Sequence, residues 1–252
     1  MTGSLSRATL LSTFARSFLI QGSWNYRTML GSGFAFAMLP AINRLFPDEA
    51  TRREALHRHM ELFNAHPYMT NLALGASIEL ESEGADADTV RRFKMAVRGP
   101  LGSLGDGLVW ATWLPGASLL ALTLYGVGVP GWVTVLTFLF VYNAGHIGLR
   151  VWAFRAGLAE GRAVGGRLTR ADLGGWTERL QGVASLLLGA LVGGTLLGGE
   201  GLGFVTPLWI AIAGVAGLAG LLIGHRTWRP AAATVVAAVV LIAVLSTLGW
   251  LG

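Results

Sequence analysis

Long apolar segments in the second half of the chain constrain its fold more than any other feature. They run over residues 107–128, 131–149, 182–199, 203–224 and 231–251. A helix needs about 20 apolar residues to cross a bilayer, so four of these segments are long enough and 182–199 is marginal. We therefore predict an all-α membrane protein whose second half contains about five transmembrane helices.

The composition also indicates a chain surrounded by lipid. The 252 residues are 53% hydrophobic and 13% charged, whereas a soluble domain carries about 25% charged residues. The net charge is +5, and all but Lys94 of the 19 basic residues are arginines. The arginines lie between apolar segments, which favours lipid headgroups over nucleic acid as their counter-charge. The chain has no cysteine, so disulfide and thiolate chemistry are excluded.

The distribution of arginine predicts the orientation in the membrane. The loop 150–181 contains six arginines and the loop 225–230 contains two, whereas the loops near 129 and 200 contain no basic residue. By the positive-inside rule, residues 1–100, 150–181 and 225–230 face the cytoplasm. Five spans then place the C-terminus outside the cell.

Residues 1–100 form a region distinct from residues 101–252, since they contain 11 of the 19 basic and 9 of the 14 acidic residues. Apolar side chains recur at helical spacing between Leu10 and Leu19. This favours an amphipathic helix at the membrane surface, or equally a helix docked on another subunit. The apolar stretches 28–42 and 67–80 are too short to span and are broken by glycine or proline. We expect re-entrant or interfacial segments, although their length would also fit buried helices.

A polar stretch, ELFNAHPYMTN over residues 61–71, is the first candidate site. Thr51 and Glu54 have the spacing of a capping box and predict a helix that continues to Pro67. Asn64 and His66 then lie in its last turn, near carbonyl groups without helical partners.

Three interpretations of this stretch remain open. A metal site needs about three converging ligands, which would come from His57, His59, Glu61 and His66, but their spacing matches no established metal motif. Alternatively, His66 satisfies carbonyls at the helix C-terminus. The third and favoured interpretation is a polar tip that binds a hydroxylated ligand, because Asn and His both donate and accept hydrogen bonds.

Two further groups of polar residues are candidate sites. Gln21, Trp24 and Asn25 combine a flat aromatic ring with two amides, which suits a sugar ring, although tryptophan is also common at membrane interfaces. Asp106 lies at the edge of an apolar helix, where a carboxylate is costly unless it faces a polar cavity or caps the helix. The glycine-rich segment 99–107 lacks the Gly-Lys-Ser/Thr ending of a phosphate loop.

Two smaller expectations concern polar side chains within helices. Asn143 lies within the second apolar segment and is expected to find its partner on another helix. Glu79, Glu81 and Glu83 alternate with small or apolar residues and are expected to lie on a helix surface.

The order of these motifs resembles the IID membrane subunit of mannose/fructose/sorbose-type sugar phosphotransferase systems (PTS). The resemblance covers roughly residues 10–160. Its motifs are Gln21…Trp24-Asn25, Gly33-Phe34…Pro40, HMELFNAHP over 59–67, Lys94, GPLGSLGD over 99–106, Trp110, and Asn143…Arg150.

This resemblance implies a subunit of a hetero-oligomer in the bacterial cytoplasmic (inner) membrane. With a IIC membrane subunit it would carry a hexose across the bilayer, while cytoplasmic IIA and IIB proteins relay phosphate from phosphoenolpyruvate. The phosphorylated histidines of such systems belong to IIA and IIB, so it implies no catalytic residue, cofactor or metal in this chain. By position, the sugar-binding residues would be Gln21, Trp24, Asn25, Asn64, His66 and Asp106.

The sequence departs from the family pattern at several positions. The family usually reads FFNTHP where this chain has Leu62 and Ala65, and Leu-Met where it has Val97 and Arg98. Loss of the threonine hydroxyl at 65 would alter the sugar or prevent uptake. Two alternatives therefore stay open: a non-transporting scaffold that regulates a partial phosphotransferase relay, and a membrane-embedded metal hydrolase.

Overall fold

The computed structural model describes residues 5–197, which form nine α-helices. The predicted spans 203–224 and 231–251 and the loop 225–230 lie outside these residues. The helices are α1 (Arg7–Arg16), α2 (Gly31–Leu45), α3 (Glu49–Met60), α4 (Thr70–Ser82), α5 (Ala87–Gly105), α6 (Leu114–Gly126), α7 (Gly131–Glu160), α8 (Val164–Ala171) and α9 (Leu173–Leu197). A π-helical segment, Asp106–Trp113, joins α5 to α6.

The core lies among the N-terminal helices and is centred on α2 and α4. On α2 the side chains of Phe34, Met38 and Ile42 repeat every four residues and are fully buried, as expected for one face of a helix. Nearly every residue of α4 is buried. The apolar stretches 28–42 and 67–80 therefore supply the two central helices of the core, and their depth in a membrane stays a prediction.

Helix α7 packs along α4 through two glycines. A Cβ atom on Gly157 would collide with the carbonyl oxygen of Leu72, and one on Gly75 with the carbonyl oxygen of Phe154. Small residues at a crossing allow two helix backbones to approach closely. The predicted end of this helix at residue 149 is wrong. Helix α7 continues to Glu160, and its additional residues pack on α4. The region 150–181, predicted as a loop, is mostly helical.

Two helical runs are long and apolar enough to cross a membrane. One runs from Ala87 to Gly126, through α5, the π-helical segment and α6, and the other from Gly131 to Gly189. They contain the predicted segments 107–128 and 131–149 almost entirely, and α9 covers 182–197. The helical class is thus confirmed for the described residues, whereas the number of five spans stays a prediction.

One face of α7 is apolar and exposed. Trp132, Leu136, Phe140 and Ile147 lie on it with exposed fractions from 47% to 76%, a pattern that suits lipid or a neighbouring subunit. Asn143 is also exposed, and its Nδ2 donates to the carbonyl of Leu139 in its own helix at 2.7 Å. The expected partner on another helix is therefore replaced by a local one.

Helix α1 has one face on the core and one in the open. The side-chain oxygen of Ser6 caps it by accepting from the backbone N–H of Thr9. Leu10 and Phe14 pack against the core, whereas Leu11 is 66% exposed. An interfacial position for this helix stays a prediction.

Candidate functional site

The polar stretch 61–71 follows helix α3 instead of completing it. Asp48, not Thr51, caps the start of α3, because its carboxylate accepts from the backbone N–H of Thr51 at 2.9 Å. The helix ends at Met60. The predicted continuation to Pro67 is therefore wrong, and Asn64 and His66 lie in an extended segment beyond the helix.

Pairing with a distant loop explains why α3 ends early. The backbone N–H of Leu30 donates to the carbonyl of Phe63 at 2.9 Å, and the N–H of Phe63 donates to the carbonyl of Thr28 at 3.2 Å. These bonds satisfy polar groups that a further helical turn would otherwise use. Gly31 permits the contact, because a Cβ atom there would collide with the carbonyls of Met60 and Glu61.

This pairing joins two of the predicted sugar-binding groups through the backbone. The loop 20–30 contains Gln21, Trp24 and Asn25, and the segment 61–69 contains Asn64 and His66. Met29, at the pairing point, has a φ of 54°, a left-handed conformation uncommon for a residue with a side chain. Such conformations persist only where the surrounding structure fixes them.

The first group is exposed, but its polar atoms are used unequally. The amide of Asn25 organises its own loop: Oδ1 accepts from the N–H groups of Arg27 and Thr28, and Nδ2 donates to the carbonyl of Ser23. Trp24 is 45% exposed and lies edge-on to Tyr26, with ring centroids 4.9 Å apart. Within residues 5–197 the side chain of Gln21 makes no hydrogen bond.

The second group connects to the start of the first candidate span. Asn64 is exposed, whereas His66 is 1% exposed. The ring of His66 lies against Gly105, where any Cβ atom would collide with it. Asp106 follows directly and is exposed at the junction of α5 with the π-helical segment. Within the described part of the chain, the side chains of Asn64 and Asp106 make no hydrogen bond.

An aromatic cluster lies behind His66. Its rings are His66, Tyr68, Trp110, Tyr142 and His146. The rings of His66 and Trp110 are 5.1 Å apart, Tyr68 stacks on His146 at 4.0 Å, and the hydroxyl groups of Tyr68 and Tyr142 are 2.6 Å apart. The backbone N–H of Tyr68 donates to Nδ1 of His66, which leaves Nε2 buried and without a hydrogen-bond partner among residues 5–197.

Arg150 ties this cluster to the N-terminal segment. Its Nε donates to Nε2 of His146 at 2.7 Å, and its Nη1 donates to the carbonyl of Ser17 at 3.0 Å. The guanidinium lies over the rings of Phe18 and Tyr68, 4.6 and 4.8 Å from their centroids. Because a guanidinium has only donors, His146 must accept through Nε2, which fixes its tautomer.

A second buried cluster, which we call the charge cluster, holds α3 against α4. Arg58 donates to both carboxylate oxygens of Glu81, at 2.7 and 2.5 Å, and Nε2 of His59 lies 2.9 Å from the same carboxylate. Lys94 donates to the carbonyls of Arg58 and His59, at 2.9 and 3.2 Å. The expectation that Glu81 lies on a surface is wrong. The carboxylate is 1% exposed because two partners compensate its burial.

The protonation states in this cluster follow from burial and hydrogen bonding. Burial lowers the pKa of His59 to about 4, so the ring is neutral at pH 7 and donates its Nε2–H to Glu81. Burial alone would raise the pKa of Glu81, but hydrogen bonds from His59 and Arg58 outweigh it and hold the pKa below its usual value. His59 is thus committed to structure, and residues 5–197 contain no group of three His, Asp or Glu side chains placed to hold a metal ion.

Comparison with known proteins identifies the family. A family model described as the IID component of the PTS mannose/fructose/sorbose family matches residues 4–197. The chain belongs to this IID family. The mannose-specific EIID component of Escherichia coli K12 is 33% identical to it over 199 residues, which are 75% of this chain and 68% of the relative. The fructose permease IID component of Bacillus subtilis is 30% identical over 194 residues, 75% of this chain and 70% of the relative.

Solved structures agree with this assignment. The IID chain matches a structure of the mannose transporter ManYZ in complex with microcin E492 with a TM-score of 0.57 and 30% identity, over 75% of this chain and 70% of the other. A structure described only as a membrane protein matches with a TM-score of 0.66 and 26% identity, over 88% of this chain and 98% of the other. The resemblance noted from the sequence motifs is confirmed: the protein is a IID component of a mannose/sorbose-type PTS.

The structure connects the three segments of the chain that carry the six predicted residues. Backbone pairing joins the two loops, and packing of His66 on Gly105 joins the second loop to Asp106. Within residues 5–197 no side-chain hydrogen bond or ring contact links two of the six, although the backbone N–H of Trp24 donates to the carbonyl of Gln21 at 3.1 Å. The prediction omitted Tyr68, whose ring contacts that of His66, and His146, whose ring stacks on Tyr68. No local pattern indicates this stack, because Tyr68 and His146 are far apart in the sequence.

Proposed function

We propose that this IID chain forms, with a IIC membrane subunit, the path of a hexose across the bacterial cytoplasmic membrane. Cytoplasmic IIA and IIB proteins phosphorylate the entering sugar, and the IID chain itself performs no catalysis. Residues 1–100 supply the sugar-facing loops, and residues 101–252 supply the transmembrane helices. The family assignment supports this role, and it extends to this chain what the names of its mannose- and fructose-specific relatives state of those proteins.

The proposal rests on an exposed surface that contains Gln21, Asn64 and Asp106, which we call the polar lip and whose backbone is held by the buried core. Gln21, Asn64 and Asp106 have exposed polar ends that make no side-chain hydrogen bond within the described residues, while the backbone beneath Asn64 is held by the Phe63 pairing. Fixed groups that donate and accept suit a ligand with many hydroxyl groups. Trp24 adds an exposed aromatic face, and His66 adds a buried ring nitrogen without a partner among residues 5–197.

The lip is open, so a second subunit is needed to enclose a sugar. Ligand sites bury most of the ligand surface, whereas Gln21, Asn64 and Asp106 are exposed in the IID chain alone. The exposed apolar face of α7, with Trp132, Leu136 and Phe140, provides a surface for the IIC subunit or lipid. We assign the missing wall of the site to IIC.

The test is phosphoenolpyruvate-dependent uptake in vesicles that contain the partner subunits. Asn64→Ala removes a polar group from the lip, and we expect uptake to fall because a lost hydrogen bond to a sugar costs about 1–3 kcal/mol. This corresponds to a roughly 5- to 140-fold loss in affinity. Asn43→Ala is the matched control, since Asn43 is also exposed but lies on α2, and it should transport normally.

Ala65 favours a second candidate, a non-transporting scaffold that regulates a partial relay. Ala65 is 8% exposed between Asn64 and His66, and a Cβ atom on Gly102 would lie 3.8 Å from its Cα. The hydroxyl expected in the family is therefore absent from a closely packed position. If the native complex assembles without moving any mannose-type sugar and Ala65→Thr restores uptake, the scaffold becomes the leading function of the native chain.

A further inference from the structure

A groove between α1 and α7 combines an apolar floor with two arginines. Its volume is about 450 Å³, within the usual range of ligand pockets. Arg7 and Arg155 border the groove. The apolar side chains that line it are Leu10, Leu11, Phe14, Val151, Phe154 and Leu158. The two helices run antiparallel, since Ser17 bonds to Arg150 and Phe14 packs on Phe154, so the floor extends along both helices.

The two arginines of the groove have no carboxylate partner within the described residues, unlike three arginines elsewhere in the chain. Arg53, Arg91 and Arg170 each form an ion pair with a carboxylate. Within residues 5–197, by contrast, neither Arg7 nor Arg155 makes an ion pair or a side-chain hydrogen bond. Both are exposed, so their donors are available to an anion.

A neighbouring cavity extends the basic surface. It has a volume of about 500 Å³, shares Val151 and Arg155 with the groove, and adds Trp152 and Arg167. Its acidic residue, Glu160, is paired with Arg170 at 3.0 Å and so does not neutralise Arg155. Arg155 therefore lines both cavities, together with Arg7 in the groove and with Arg167 in the neighbouring cavity.

Along α7, Arg155 lies at the level expected for lipid headgroups. Trp132 lies near the other end of the same helix, 23 residues away. At 1.5 Å per residue this separation is about 35 Å, slightly more than the ~30 Å hydrocarbon thickness of a bilayer. The arginine distribution places this end of α7 on the cytoplasmic side, where the leaflet surface is negatively charged.

We propose that the groove binds an anionic glycerophospholipid. The phosphate is held between Arg7 and Arg155, whose guanidinium groups match phosphate oxygens in charge and geometry, and one acyl chain lies along the apolar floor. A phospholipid fits both features, whereas free phosphate leaves the floor unused and a zwitterionic lipid leaves a positive charge beside the arginines. The lipid would bridge α1 to α7 and is independent of the proposed sugar path.

Native mass spectrometry of the full-length chain in detergent tests the proposal, with phosphatidylglycerol and phosphatidylcholine of equal chain length as probes. We expect tighter binding of phosphatidylglycerol, and the double variant Arg7→Gln/Arg155→Gln should weaken it roughly 25-fold, about five-fold for each arginine removed. The matched control is Arg27→Gln/Arg44→Gln, which removes the same charge from exposed positions outside the groove and should bind as the native chain does.

A second variant separates the groove from general charge attraction. Val151→Trp fills the floor without changing charge and should also weaken phosphatidylglycerol binding. Equal loss in the Arg27/Arg44 control, or binding that Val151→Trp leaves unchanged, would overturn the groove as the site. Competition by glycerol phosphate as strong as by the lipid would show a phosphate site and contradict a lipid site.

Discussion

The buried pair between Arg58 and Glu81 provides the sharpest test of how the N-terminal helices are held together. The substitution Glu81→Gln removes the carboxylate charge while keeping the size of the side chain. It leaves the Arg58 guanidinium in the core without its paired carboxylate, since Arg58 is 7% exposed. Loss of one partner of a buried ion pair costs about 3–5 kcal/mol.

The chain offers a matched control for this substitution. Glu49 also pairs with an arginine, Arg53, at 2.6 Å, but both side chains are mostly exposed. A surface pair contributes roughly 0–1 kcal/mol, so Glu49→Gln should have little effect. The two variants remove the same group from the same type of pair and differ in burial.

Thermal unfolding of the detergent-purified protein measures the difference. At about 2–4 °C per kcal/mol for a chain of this size, Glu81→Gln should lower Tm by roughly 6–20 °C, and Glu49→Gln by a few degrees at most. Similar shifts for the two variants would refute the reasoning, because burial would then not determine the contribution of the pair.

Three further predictions follow from the described residues. Burial lowers the pKa of His59 to about 4, below about 6.5 in the unfolded chain. The neutral ring therefore contributes fully to the free energy of unfolding above pH 6.5, and this contribution decreases by up to about 3 kcal/mol as the pH falls towards 4. A series of Tm measurements against pH should lose part of this dependence in His59→Gln but not in His57→Gln, whose ring is exposed. Gly157→Leu should prevent stable folding, as read by size-exclusion chromatography, whereas Gly148→Leu on the same helix should be tolerated, since a Cβ atom there meets nothing within 4 Å. Gly165→Cys, the only thiol in a chain without cysteine, is exposed and should react with an impermeant reagent from the cytoplasmic side only; labelling from outside would overturn the orientation.

The sequence alone predicts what depends on local pattern. Apolar length gives the helices of 107–126 and 131–149, and the order of the FNAHP and GPLGSLGD motifs gives the family. The apolar stretches 28–42 and 67–80 are largely helical, but their pattern does not reveal that α2 and α4 form the centre of the core, and a re-entrant position stays a prediction.

Features set by distant partners are missed. Helix α3 ends at Met60 because Phe63 pairs with Thr28 and Leu30, more than 30 positions earlier, and no residue near Met60 carries that information. Similarly, Glu81 is buried because Arg58 lies opposite it in the fold, 23 positions away. The spacing of the acids in the sequence indicates a surface, and the tertiary contact overrides it.

The length of α7 was missed for the same reason. An arginine after an apolar run usually marks the end of a span, and Arg150 has this position in the sequence. In the structure it is instead buried against Ser17, and the helix continues so that Gly157 packs on α4. The other arginines of the described part of this region, from Arg155 to Arg179, are exposed as the charge pattern requires.

Phosphoenolpyruvate-dependent sugar uptake decides whether the IID chain forms part of the sugar path. The native IID chain, Asn64→Ala and Asn43→Ala are each assembled with the IIC, IIA and IIB partners in vesicles, and assembly is verified by co-purification. We expect uptake by the native chain and by Asn43→Ala, and its loss in Asn64→Ala despite normal assembly. Undiminished uptake by Asn64→Ala would contradict the polar lip as part of the sugar path.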